Sequence, residues 1–126
     1  MTRSERRARE FFDAYAAGDL DAVRAALADD LVSYVTNADG GADAVHGADA
    51  YMARLPGLRA AGGTIAVTQA LEVDDRRVLA MVEIRAERDG RALHNHAGFL
   101  LELGGSSISR MWMVDALPEY SAEFWS

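Results

Sequence analysis

The second half of the chain sets the strongest limit on the fold. Between Thr64 and Val114 four stretches alternate apolar and polar residues, with only short turns between them. "TIAVTQALEV" (64–73), "VLAMVEIRAE" (78–87), "ALHNHAGFLLEL" (92–103) and "SISRMWMV" (107–114) read as long strands. "DDRR" and "GGS" turn the chain, and Asp89–Gly90 is a hairpin signal. In the first stretch the alternation predicts Ile65, Val67, Leu71 and Val73 on one face.

The first half reads differently. Thr2 and Glu5 have capping-box spacing, and Ala8, Phe11, Phe12 and Tyr15 form a helical stripe, so a helix is predicted from Arg3 to Ala17. Gly18 ends it, and Asp19 caps a short second helix that carries Leu20, Val23, Ala26 and Leu27. "LVSYV" (31–35) reads as a strand and "NADGGADAVHG" (37–47) as a loop. A third helix starts near Ala48 with Tyr51, Met52 and Leu55, and Pro56–Gly57 ends it. Helices followed by a mostly antiparallel sheet make an α+β domain over residues 1–126: a curved sheet wrapped around three N-terminal helices, cone-shaped with a central pocket. The helices cover one face of such a sheet. The partly apolar other face, with Leu79, Met81 and Leu100, suits a homodimer.

Composition removes several classes of chemistry. The chain has 126 residues and no Cys, which excludes thiol nucleophiles and fits a cytoplasmic location. All thirteen basic residues are Arg, so no lysine forms a Schiff base. A net charge of −7 opposes nucleic-acid binding. No apolar run reaches the roughly 20 residues of a membrane helix, and the first residues lack a signal-peptide apolar core. With no phosphate loop or dinucleotide fingerprint, the expectation is an absence of cofactors.

Three stretches resemble the nuclear transport factor 2-like superfamily, and its SnoaL-like branch in particular: "AAGDLDAVRAALADDLV" (16–32), "VHGADAYMARL" (45–55) and "SSISRMWMVDALPEYSAEFW" (106–125). The resemblance covers nearly the whole chain. It implies the cone-shaped fold and a pocket for a small apolar molecule. Ketosteroid isomerases of the superfamily place an acid tyrosine, a base aspartate and a second acid at positions that fall here on Phe11, Val35 and Ala97. These three side chains can line a cavity but cannot move a proton. SnoaL-like polyketide cyclases place an acid–base aspartate before an Ala-Leu pair, which corresponds to Asp115 before Ala116–Leu117.

Two readings of Asp115 stand side by side. A carboxylate walled by apolar side chains holds a proton more readily and suits proton removal beside a carbonyl. Equally, an aspartate ahead of Pro118 can accept backbone amides in a turn. The hairpin alignment puts Ala97, Phe99 and Asn95 on the pocket face, with Asn95 able to hold a ligand oxygen. Arg110 and Trp112 are assigned pocket parity on the last strand, Arg110 to orient an oxygen and Trp112 as a wall. Trp112 and Asp115 then share the pocket only if the strand ends or bulges between them. His94, His96 and Glu102 share the opposite parity. Ligands of those types can hold a metal, but the flanking pattern of a metal site is missing, and the expectation is solvent or a dimer contact, with no metal. Tyr15, Tyr34 and His46 are further polar candidates, and Tyr120, Phe124 and Trp125 form an amphipathic tail. The two functions carried forward are a cofactor-independent enzyme of the cyclase or isomerase type, acting on a small apolar carbonyl or polyketide-like molecule, and a non-catalytic binding module of the same fold.

Overall fold

The computed structural model of the protein describes residues 1–58 and 62–126. The capping box forms as its spacing predicts: the Glu5 amide donates to Thr2 Oγ1 and the Thr2 amide to Glu5 Oε2, both at 3.2 Å. Those bonds satisfy N–H groups that a helix start leaves open. They begin α1 (Arg3–Ala16), which buries Ala8, Phe11 and Phe12. Helix α2 (Leu20–Ala25) is shorter than the apolar spacing suggests, because Leu27 already opens β1 (Leu27–Thr36). The stretch expected as a loop holds a short strand, β2 (Ala42–His46), paired back onto β1. Only Val45 of β2 is buried, so it carries no alternation to betray it. Gly47 follows at φ 96°, backbone that glycine adopts without strain, and turns the chain into α3 (Ala48–Arg54).

The four long strands lie within a residue of their predicted ends: β3 (Thr64–Glu72), β4 (Arg77–Arg88), β5 (Arg91–Gly104) and β6 (Ser107–Asp115). Asp89 and Gly90 both take positive φ between β4 and β5, as a tight two-residue hairpin requires. A fourth helix, α4 (Pro118–Trp125), ends the chain, with Pro118 in its first turn. The six strands form one sheet in the order β2-β1-β6-β5-β4-β3, with β1 and β6 parallel and all other neighbours antiparallel.

One extra residue in β3 and one in β6 decide which residues of those two strands face inward. In β3, Val67 pairs with Val82, but the next pair is Gln69 with Met81, so Thr68 is an extra residue. The alternation flips there. Ile65 and Ala70 face the core, while Leu71 and Val73 lie 56% exposed, against the single apolar face expected for this strand. In β6, Ile108 pairs with Leu103 and Arg110 with Glu102, so Ser109 is extra. Ile108 and Met111 are consequently both buried, although a regular strand would send them to opposite faces.

The core lies between the helices and the inner face of the sheet. Phe12 joins the two layers, 2% exposed, with its ring 5.1 Å from Phe11 and 4.9 Å from Phe99 on β5. Phe12→Ala removes that link and leaves a void that the sheet cannot close. It should lower stability by about 3–5 kcal/mol, measured by urea unfolding of the variant beside the parent.

Candidate functional site

A cavity of about 320 Å³ opens between the helices and the inner face of the sheet, within the range of small-ligand sites. Phe11, Phe12 and Tyr15 of α1 form one wall, and Tyr51 and Leu55 another. The sheet contributes Val35, Ile65, Ile84, Leu93, Asn95, Phe99, Met113 and Asp115. Helix α4 closes over it with Ser121, Ala122 and Trp125. The tail is therefore a cover for the cavity, a choice the sequence left open. Arg88 donates to the Trp125 carbonyl at 3.1 Å and Arg91 to the Glu123 carbonyl at 3.2 Å. These cations meet the carbonyls that a helix C-terminus leaves exposed and hold α4 in place. Tyr120 also donates to the Ala92 carbonyl.

Asp115 is the only carboxylate on the described wall of this cavity. Its Oδ1 accepts from Asn95 Nδ2 at 2.7 Å and from the Leu117 amide at 2.8 Å. No hydrogen bond reaches Oδ2 among the described residues. One oxygen therefore anchors the turn, and the carboxyl borders the cavity. Its own amide donates to Thr36 Oγ1 at 3.1 Å, and Thr36 in turn donates to the Met113 carbonyl at 2.9 Å. Asn95 is 2% exposed, and its Oδ1 accepts from the His96 amide at 2.8 Å. Both ends of the Asn95 amide are committed, which fixes its orientation and, through it, that of Asp115.

Arg110 and Trp112 are not in the cavity, contrary to their assigned parity. The extra residue Ser109 rotates everything after it, so Met111, Met113 and Asp115 face inward while Arg110, Trp112 and Val114 face outward. Trp112 stacks on Tyr34 of β1 on the outer face, at 5.9 Å between centroids, and Arg110 lies over the Trp112 ring at 5.9 Å. Phe11, Val35, Phe99 and Asn95 are wall residues, and Ala97 is buried on the same face opposite Asp115 without lining the cavity.

Arg54, held 3.2 Å from Asp43, also lines the cavity, and two tyrosines add further polar groups. Tyr15 donates to the Pro56 carbonyl at 2.8 Å. Tyr51 is 6% exposed, and its hydroxyl has no hydrogen-bond partner among the described residues, which leaves it a donor for a bound molecule. Sequence reading treated Tyr51 as one apolar-stripe residue of α3. Its distance along the chain from the other wall residues hid its place in the cavity. Burial raises the pKa of both tyrosines, and at Tyr51 the neighbouring Tyr15 adds to the effect, so both are neutral donors rather than bases.

On the outer face, His94 and His96 lie beside Glu83 of β4 rather than Glu102. His94 Nε2 is 3.0 Å and His96 Nε2 3.5 Å from Glu83 Oε2, and His94 holds the Glu83 carboxyl below its usual range. Glu102 lies at the other end of the strand, 3.6 Å from Arg77.

The SnoaL-like domain model matches residues 8–111 of this chain, which carry α1 through most of β6. The chain belongs to the SnoaL-like family. A Mycobacterium tuberculosis protein, Rv0034, whose own activity is uncharacterized, is 31% identical over 121 residues, covering 94% of this SnoaL-like chain and 92% of the relative. Among solved structures, Bal32a from a soil-derived mobile gene cassette superposes with a TM-score of 0.84 at 18% identity, over 98% of this chain and 96% of that one. RV0760c from Mycobacterium tuberculosis, solved in complex with estradiol-17beta-hemisuccinate, gives 0.74 at 15% identity, over 90% and 93%. These likenesses establish the fold of the SnoaL-like chain, a cone of curved sheet and helices.

The buried tyrosines give this domain a defined response to alkali. Above about pH 10, the ordinary tyrosine value, the unfolded chain releases protons that the folded chain retains at Tyr15 and Tyr51. The unfolded state then binds fewer protons, so stability falls as pH rises. Urea melts across that range should show the decline, and Tyr51→Phe should make it shallower while leaving stability at neutral pH nearly unchanged.

Proposed function

We propose that this SnoaL-like protein is a cofactor-independent acid–base enzyme of the cyclase or isomerase type, acting on a small, largely apolar carbonyl or polyketide-like molecule. The observation that carries the reading is the Asp115–Asn95 pair on a largely apolar cavity wall, whose other polar side chains include Arg54, Thr36 and two tyrosines. Asp115 removes a proton from the carbon beside the substrate carbonyl, through Oδ2, which accepts no hydrogen bond among the described residues. Asn95 and the Leu117 amide hold the other oxygen, which keeps the carboxylate aimed as charge moves onto the substrate. The hydroxyl of Tyr51 is a neutral donor for the developing enolate oxygen. The proton returns at a different carbon in an isomerase, or the enolate carbon attacks a second carbonyl in a cyclase. Phe11, Val35, Phe99 and Met113 enclose the apolar body of the substrate.

A second reading has its own support. Oδ1 of Asp115 already serves the turn to Leu117, which is what a purely structural aspartate does. A similar fold, RV0760c, was solved holding a steroid hemisuccinate. On this reading the same cavity binds an apolar molecule without converting it.

Proton exchange separates the two. Small apolar ketones are incubated with the protein in heavy water, and loss of the proton beside the carbonyl is followed by NMR. The parent should catalyse exchange, and Asp115→Asn should slow it by roughly 100-fold or more, the usual contribution of a positioned acid–base group. Asn at this position keeps an oxygen for both donors, so its stability should stay within about 1 kcal/mol of the parent. Binding of such ketones without exchange in the parent would favour the binding module.

We also infer a homodimer through the outer sheet face. Leu71, Leu79, Leu100, Trp112 and Tyr34 follow one another across five strands as register partners. Met81 and Val114 form part of the adjoining row, at 37% and 66% exposure. No described helix is placed against this stripe, and charged rows bound it at either end, as in an interface with an apolar centre and polar rim. Sedimentation at micromolar concentration should give a dimer and Met81→Glu a monomer; a monomeric parent would end this assignment.

A further inference from the structure

The side of β5 that faces away from the cavity carries a cluster the acid–base reading does not use. His94 and His96 are two residues apart on one strand, so both imidazoles leave the same face. Sequence alone paired them with Glu102, which lies too far along the strand. The β4–β5 register instead puts Glu83 directly opposite His96, with Arg85 opposite His94. The ligand-type atoms of Glu83, His94 and His96 all lie within 4.8 Å of one another.

We propose that Glu83, His94 and His96 form a binding site for a divalent first-row transition ion, with zinc the best fit. An ion bound tetrahedrally at about 2.0–2.1 Å separates its nitrogen and oxygen ligands by roughly 3.3–3.4 Å. The separations of 3.0 and 3.5 Å from Glu83 Oε2 to the two Nε2 atoms bracket that edge length. Both imidazoles converge on the same carboxylate oxygen, and small side-chain rotations admit an ion between the three. The backbone of the site is set by two paired strands in the body of the sheet, so little has to be ordered on binding. Arg85 does not occupy the converging oxygen: its Nε is 3.6 Å from Glu83 Oε1, and its side chain is 59% exposed, free to stay on that side. The net charge of −7 favours a cation in general.

The donor set selects the ion. Two imidazoles and one carboxylate suit zinc, nickel, copper or cobalt, whereas magnesium and calcium prefer an all-oxygen shell. His94 and His96 are about half exposed, so a three-ligand ion here keeps a coordination position open to water. The site lies across the sheet from the cavity and is independent of what Asp115 does.

The test uses the full chain without a histidine tag, stripped by chelator and titrated with zinc chloride. One ion per chain should bind, and the melting temperature should rise with zinc by mass action and stay put with magnesium. His96→Gln and Glu83→Gln, on different strands, should each weaken binding by more than roughly tenfold, a scale that even outer partners of metal ligands command. His46→Gln and Glu102→Gln should leave it intact. Because the altered side chains are on the surface, their melting temperatures without metal should match the parent, which separates lost binding from lost folding. Absence of zinc binding at micromolar concentration overturns the proposal, as does binding unchanged in His96→Gln and Glu83→Gln or lost equally in His46→Gln.

Discussion

One extra residue in β6 determines what the cavity contains. With Ile108 inward, a regular strand would turn Arg110 and Trp112 toward the helices and Asp115 away from them. Ser109 interrupts that alternation, and its hydroxyl donates to the Glu102 carbonyl at 3.2 Å, so the interruption is tied back to the neighbouring strand. The result keeps the Arg110 charge out of an apolar interior, where leaving it without a partner would cost several kcal/mol. It also releases Trp112 to stack on Tyr34 and delivers Asp115 to Asn95. Thr68 has the same effect in β3. Bulges also sharpen the bend of a strand, so the residues that re-aim side chains are the ones that help the sheet curl around the helices.

The long strands were legible because each is bounded by residues with a turn preference and has one inward-facing apolar set. Their ends fall within a residue of expectation for that reason. The bulges were not legible. Ile108 and Met111 are both apolar, and so is Trp112 between them and the strand end, so the pattern suits either parity. The assignment of Arg110 and Trp112 to the pocket failed on that ambiguity alone, while Asn95 and Phe99 lie on the unbroken part of β5 and were placed correctly. Strand β2 was hidden by a different cause: a mostly exposed edge strand in which only Val45 is buried has too little buried surface to imprint alternation. Glu83 was missed beside the two histidines because cross-strand partners depend on register, which the sequence between two strands does not state.

Strand β5 carries two sets of side chains back to back. Asn95, Ala97 and Phe99 face the apolar interior, and His94 and His96 face solvent. The backbone links them: the His96 amide donates to Asn95 Oδ1, and the His96 carbonyl accepts from the Ala116 amide at 2.9 Å. The peptide that holds the outer imidazole therefore also sets the angle of the inner amide. A change that shifts this stretch of β5 moves both, whereas a change confined to the His96 side chain leaves the Asn95 bond in place.

The position of Asp115 at a strand end has its own physical reason. Within the sheet, backbone amides are committed to neighbouring strands, and a carboxylate there has few donors to hold it. Beyond Asp115 the chain leaves the ladder, and Pro118, which has no N–H, starts α4. The Leu117 amide is thereby free to turn back and donate to Oδ1, while Ala116 still closes onto β5. The end of β6 thus combines a free amide, a committed asparagine on the next strand and an apolar cavity covered by α4. Phe11, Val35 and Ala97, on which the resemblance to ketosteroid isomerases would place proton-moving groups, carry no titratable side chain in this chain. A carboxylate placed at Ala97 would face Asp115 directly across the ladder and crowd two negative charges into a poorly solvated wall. A single carboxylate at the strand end avoids that repulsion.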